Sequence, residues 1–279
     1  MAKSVLLICG TLNQTTQMHQ IANELPGYEH YFTPYYGDVV LGLATRLGLA
    51  EFTVMGEKLA HRCLEYLERH KLTIDHKGKS REHDLVITCS DLVVPKNIRD
   101  KNLVLVQEGM TDPETLMYHI VKRVRFLPRW LASTAATGIS KHYDYFCVAS
   151  HGYRDLFVSK GAQREKLVVT GIPNFDNCAR FLNNDFPHRG YVLVCTSDAR
   201  ETFKIDRRKR FIQRAVAIAA GRQLIFKLHP NEKVARATAE VNKHAPGALV
   251  YSTGNTEEMI ANCDVLITQY SSTTSVGLA

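Results

Sequence analysis

Three short stretches place chemically competent residues where apolar runs end. "IFKLHPNE" (225–232) leads a strand-like run into His229 and Pro230, and "DVLITQYSSTTSVG" (264–277) leads another into Ser271, Ser272 and Thr273. "VQEGMTD" (106–112) ends a third on Glu108, followed by Gly109, with Asp112 in the same stretch. Proline fixes φ and lacks an N–H, so Pro230 suits the first turn of a helix. A histidine just ahead of the positive end of a helix dipole suits an anion such as phosphate. A core histidine bonded to a backbone carbonyl is the alternative. Serine and threonine hydroxyls, with the free N–H groups of a first helical turn, can hold a phosphate; simple N-capping would use only one of the two serines. A strand-end carboxylate such as Glu108 can act as a general base toward a hydroxyl, with Asp112 in reserve. The other reading of Glu108 is a loop carboxylate paired with an arginine.

Further candidates stand at other ends. Thr196 closes "GYVLVCTS" (190–197), and Arg200 follows in "DARET"; with Arg207 and Arg208 it could add positive charge to a phosphate site or lie on an outer helix face. Glu257 opens the helical pattern "NTEEMIANC" (255–263), where it could accept from a ribose or stabilise its own helix. No strand ends on a DxD-like pair and no His/Asp cluster has ligand spacing, so no catalytic metal and no cofactor is expected.

The elements that must position these residues alternate. Short, β-branched runs apolar on both faces recur ("SVLLICG", "DLVITCS", "NLVLVQEG", "YDYFCVAS", "KLVVTGIP", "GYVLVCTS", "RQLIFKLHP", "GALVYST", "DVLITQYSS") with helical patterns between them. Such runs suit parallel strands covered by helices, and the alternation predicts two facing Rossmann-like doubly wound α/β domains. In open parallel sheets ligands bind beyond the carboxyl ends of the strands, where all these polar residues fall. The Gly/Pro/Asn-rich stretch 171–190 marks a boundary, giving an N-terminal acceptor domain over 1–175 and a C-terminal nucleotide-donor domain over 176–279. The chain ends in the first turns of a helix, which reads as an incomplete second domain. Gly161 is expected to cap the helix 151–161.

At 279 residues, 45% hydrophobic and 23% charged, the chain has the composition of a globular enzyme. No run reaches the ~18 apolar residues of a membrane span, and the N-terminal run is too short for a signal peptide. The seven cysteines form no CxxC pair and several lie in strands, so buried free thiols in a reducing cytoplasm are expected. The net charge of +7 concentrates in "KRVRFLPRW" (122–130) and "RETFKIDRRKRFIQR" (200–214). These stretches read as solvated helix faces or as surfaces for an anionic glycan, a lipid-linked acceptor or the inner membrane face. Nucleic acid is disfavoured, because the aromatics are not interleaved with the basic residues in a stacking pattern and no nucleic-acid motif appears.

The set Glu-Gly, His-Pro, Ser-Ser resembles the motifs of bacterial GT-B glycosyltransferases that build surface polysaccharides, such as the sialyl- and Kdo-transferases. The CDP-glycerol-dependent polyol-phosphate transferases are similar, and "DVLITQYSS" resembles their "LITDYSS", with Gln269 where Asp is usual. The resemblance implies Glu108 as base, His229 and Pro230 at a donor phosphate, and Ser271 and Ser272 beside it. A second resemblance, carried by 149–176, "KLHPNE" and "NTEEMIANCDVLIT", is to the non-hydrolysing UDP-N-acetylglucosamine 2-epimerases, which share the GT-B fold. That family's His-Arg-x-Glu-Asn segment is here "TSDARET", keeping Arg200-Glu201, and its Asp-Ser-Gly-Gly is "QYSST". The expectation is therefore metal-independent transfer of a sugar or polyol phosphate from a nucleotide-activated donor to a hydroxyl. Epimerase activity and non-catalytic nucleotide binding are the alternatives.

Overall fold

The structure is a computed structural model that describes residues 2–37, 57–124, 127–201, 205–269, 271 and 273–278. The chain divides into two units, Met1–Asn174 and Phe175–Ala279.

In the first unit β1 (Lys3–Cys9) is buried on both faces from Ser4 onward, as a central parallel strand must be. Six strands, β1, β2 (Tyr28–Pro34), β3 (Leu85–Thr88), β4 (Leu103–Val106), β5 (Tyr145–Val148) and β6 (Leu167–Val169), lie in the order β2-β1-β3-β4-β5-β6, every pair parallel. Alternate β1 residues serve opposite faces. Val5, Leu7 and Cys9 pack with Met18 and Ala22 of α1 (Leu12–Asn23) and Cys63 and Leu67 of α2 (Glu57–Arg69). Leu6 and Ile8 pack with Phe157 of α4 (His151–Lys160). Each such fully buried side chain contributes about 1.5–3 kcal/mol. Gly161 ends α4 with φ 111°, in the left-handed region that a glycine enters without a Cβ penalty. A smaller core joins Tyr118 and Val121 of α3 (Leu116–Arg123) to Ala132, Ala135 and Ala136 of the 3-10 segment Arg129–Ala136.

In the second unit β7 (Tyr191–Cys195), β8 (Leu224–Lys227), β9 (Leu249–Tyr251) and β10 (Cys263–Thr268) form a parallel sheet in the order β10-β7-β8-β9. Val192 and Val194 face α5 (Arg208–Ala219) and α6 (Val234–His244); Leu193 and Cys195 face α7 (Thr256–Ala261) and α8 (Thr273–Leu278). Both units are thus doubly wound.

Three expectations change. The basic stretch 122–130 is not one helix: Lys122 and Arg123 end α3, and Pro128 precedes the 3-10 segment. Among the described residues of the basic stretch 200–214, helix begins at Arg208. Strand β2, whose "YEHYFTP" mixes aromatic and polar residues, carries no apolar run, yet it pairs with β1 at the sheet edge. All seven cysteines are free and five are buried. Among the described residues no helix is long and apolar enough to cross a membrane.

Candidate functional site

In each sheet one place stands out: the switch point, where the chain leaves the first strand in opposite directions and opens a crevice at the carboxyl ends. In the first unit this lies between β1 and β3. The chain turns there through Gly10, where an added Cβ would collide with the Gln14 carboxamide. It enters α1 through a capping box: Thr11 Oγ1 accepts from the Gln14 N–H at 3.2 Å, and Gln14 Oε1 accepts from the Thr11 N–H at 3.2 Å. Three donors of this turn converge on Glu108, just beyond β4. Thr11 Oγ1 and Asn13 Nδ2 donate to its Oε1 at 2.9 and 3.1 Å, and Gln14 Nε2 donates to Oε2 at 2.5 Å. A carboxylate offers about four lone-pair sites, so one on Oε2 remains for a further donor such as an incoming hydroxyl. Burial, and then the Glu108 charge, push the neighbouring Cys89 thiol well up, keeping it protonated.

The frame behind Glu108 is fixed by amides. Gln107 is 1% exposed; its Nε2 donates to Gly109 O at 2.8 Å, and its Oε1 accepts from the Ala149 N–H at 2.9 Å. Asn174 Nδ2 donates to both Asn13 O and Asn13 Oδ1, at 2.8 and 2.7 Å. Asp112 is engaged elsewhere: its N–H donates to Thr134 Oγ1 at 2.8 Å, and its Oδ2 accepts from that hydroxyl at 2.9 Å. It ties the loop to the 3-10 segment.

In the second unit the switch point lies between β7 and β10. Ser271 follows β10, and its Oγ accepts from the Thr273 N–H at 3.3 Å and the Thr273 hydroxyl at 3.0 Å, so it caps α8 while its own proton has no acceptor among the described residues. Ser272 lies outside the described residues. Thr273 also reaches Thr268 Oγ1 at 3.4 Å. On this α7/α8 face the strip continues through Cys195, whose thiol burial and then Cys263 push up to about 12, with Thr273 as a hydrogen-bond partner acting the other way. It ends at Lys227, 5% exposed, whose ammonium donates to Ser252 O at 3.4 Å. Burial holds Lys227 below the usual lysine range, while Cys195 and Glu257 act in the opposite direction. Glu257 therefore lies within electrostatic reach of Lys227; its own N–H is capped by Asn255 Oδ1 at 3.0 Å.

His229 stands beyond β8, one strand from β7 and two from β10. Neighbouring strands are about 4.8 Å apart, so His229 and Ser271 leave the sheet about 10 Å from each other, with β7 between. The imidazole is partly exposed. Its Nδ1 accepts from the Asn231 N–H at 3.2 Å, which leaves the ring proton on Nε2. Nε2 has no hydrogen-bond partner among the described residues. The helix does not begin at Pro230 as expected: α6 starts at Val234, and Pro230 lies in a turn closed by the Glu232 N–H on His229 O at 3.0 Å. The turn displaces the α6 dipole from His229 by about one helical turn, beyond which such effects fade.

Glu232 builds that turn. Its Oε2 accepts from the His229 N–H at 3.0 Å and from the Thr196 hydroxyl, while Oε1 pairs with Arg208 Nη2 at 2.7 Å. Arg208 also donates to Asp206 at 2.9 Å and Ser197 O at 3.0 Å. Arg200 Nη1 donates to both carboxylate oxygens of Glu240 at 2.8 Å, and Nε lies 3.4 Å from Asp206. Thr196, Arg200 and Arg208 are thus engaged within the α5/α6 layer. Arg207 lines an open cavity of about 390 Å³ beside the start of α5.

Glu232, Lys227, Asn13 and Gln14 were not among the residues selected from sequence. "TLNQ" directly after an apolar strand is a readable capping box; nothing local marks Lys227 or Glu232.

No protein-family model matches the chain, and no curated protein matches it. Solved structures do. An H444N variant of the wall teichoic acid polymerase TagF aligns over 99% of this chain and 68% of its own, at 11% identity and TM-score 0.51. A UDP-N-acetylglucosamine 2-epimerase from Rickettsia bellii aligns over 99% and 76%, at 13% identity and TM-score 0.56. The fold is GT-B-like. The Staphylococcus aureus MnaA–UDP structure aligns over 95% and 73%, at 13% identity and TM-score 0.52. At such identities the likeness speaks for the fold alone.

Proposed function

We propose that the protein is a GT-B enzyme whose C-terminal unit binds a nucleotide-activated donor and whose Glu108 group takes the acceptor hydroxyl, in metal-independent transfer of a sugar or polyol phosphate. The observation that carries the reading is the second switch point, where the Ser271 hydroxyl proton and His229 Nε2–H are both free to donate, on strand ends spaced for a diphosphate ester rather than a single phosphate. The buried Lys227 ammonium adds positive charge where a leaving phosphate would develop negative charge. In the first unit the remaining lone pair of Glu108 Oε2 accepts the acceptor's proton. Two fold neighbours support the donor class: one is named for UDP-N-acetylglucosamine, another was solved with UDP.

The test is calorimetric titration of the full chain with CMP, CDP, UDP and GDP in EDTA, followed by turnover of the corresponding activated sugars with and without hydroxyl acceptors. The expected result is one diphosphate bound preferentially, weakened about tenfold or more by His229→Ala, which removes a charge-assisted hydrogen bond. No nucleotide binding, or unchanged affinity in His229→Ala, overturns the donor assignment. Interconversion of two UDP-sugars without acceptor would make the enzyme an epimerase, and Glu108→Ala with full transfer would remove Glu108 as base.

A further inference from the structure

Helix α3 buries Tyr118 and Val121 against the alanines of the 3-10 segment and turns its other side outward. On that side Leu116 is 77% exposed and Ile120, one turn on, 38%, with Met117 exposed on the flank. Leu131, on the 3-10 segment, is also exposed. His119, Lys122 and Arg123 rim the ridge, and together with Leu116, Ile120 and Val124 they line an open groove of about 740 Å³. Glu114 lies 3.8 Å from His119 at the start of the helix. An apolar ridge edged by cations on a short helix is the pattern of an element lying in a lipid interface.

We infer that this face of α3 docks on an anionic lipid surface, with Leu116 and Ile120 entering the headgroup–acyl boundary and Lys122 and Arg123 on the lipid phosphates. Charge decides for lipid headgroups over a neutral surface, and size decides against a protein partner. Eight residues of helix span about 12 Å and a helix is about 10 Å across, so this face covers on the order of 120 Å², far short of the roughly 800 Å² per partner of a stable protein interface. A bilayer requires no matching surface, so each apolar side chain and each cation contributes separately. The inference does not depend on the donor reading of the C-terminal unit.

The test is cosedimentation of the full chain with phosphatidylcholine vesicles containing or lacking about one third phosphatidylglycerol, at about 0.1 M and about 0.5 M salt. The chain is expected to pellet with the anionic vesicles, less so at high salt, and to stay in solution with the neutral ones. Leu116→Asp with Ile120→Asp should weaken binding at least tenfold, because charge is costly in the boundary. Lys122→Gln with Arg123→Gln should weaken it about 25-fold, each cation near a charged surface being worth about fivefold. All four side chains are exposed, so the circular dichroism melt should match wild type; the Gln pair, which leaves the apolar ridge intact, is a second and independent reading. Failure to pellet with anionic vesicles, equal pelleting with neutral ones, or wild-type binding by both double variants overturns the inference.

Discussion

The carboxyl ends of the two sheets are built on different chemistry. In the N-terminal unit a single carboxylate, Glu108, is held by a hydroxyl and two carboxamides, with Gln107 and Asn174 bracing the loops behind it. In the C-terminal unit two arginines are held by three carboxylates within the α5/α6 layer, Arg200 by Glu240 and Asp206 and Arg208 by Asp206 and Glu232. Neutral donors fix a charge without cancelling it, so Glu108 remains an acceptor with a vacant lone pair. Cations paired in this way are cancelled, so Arg200 and Arg208 serve as scaffold, and in the proposed reading ligand contact falls to Ser271, Lys227 and the Nε2 edge of His229, whose Nδ1 lies 3.8 Å from Asp198.

The contrast is sharpest in stability. Arg208→Ala leaves Glu232 and Asp206 charged and buried, and should cost about 3–5 kcal/mol. Guanidinium unfolding followed by far-UV circular dichroism should show the loss, while fluorescence of the chain's single tryptophan, Trp130 in the N-terminal unit, should not move. A loss below about 1 kcal/mol would mean that the α5/α6 ion pairs are not the scaffold. Glu108→Ala strands three donors of the α1 turn and should cost about 2–3 kcal/mol, here in the Trp130 transition. Lys227→Met removes a buried ammonium and should stabilise by about 1 kcal/mol at neutral pH.

The pH dependence of that last gain follows from its sign. Burial holds Lys227 low in the folded state, so over the interval up to the ordinary lysine value of about 10.4 the unfolded chain binds the proton more readily. The penalty is complete below the folded-state value and fades as pH rises through it. The advantage of Lys227→Met, read from melting temperatures, should therefore shrink toward about pH 10, and the same substitution should weaken nucleotide binding. Ser271→Ala should cost least, about 0.5–1 kcal/mol for a lost cap. An effect well above that would mean the hydroxyl does more than cap α8.

How much of this was legible depends on the range of the interaction. Runs such as "SVLLICG" and "GYVLVCTS" announce strands, and Gly161 announces a helix end, because burial and backbone sterics act within a few residues. Glu108, His229 and Ser271 were legible as polar residues closing apolar runs. The partners of Glu108 were not, since Thr11, Asn13 and Gln14 lie 97, 95 and 94 positions away and meet it through the sheet order. Nor was the pairing of Arg200 with Glu240, 40 positions on, which turns an apparent ligand residue into an internal tie. Pro230 misled because proline suits a turn as well as a first helical turn, and here Glu232 closes the turn.

Glu232 touches β7 through Thr196, the end of β8 through the His229 N–H, and the start of α5 through Arg208. One side chain thus immobilises the backbone that presents the imidazole before any ligand arrives. Freezing a free loop on association would take about 1–2 kcal/mol of entropy per residue from the binding energy. Here that cost falls on folding, so under the proposed donor reading affinity at His229 goes into telling one occupant from another.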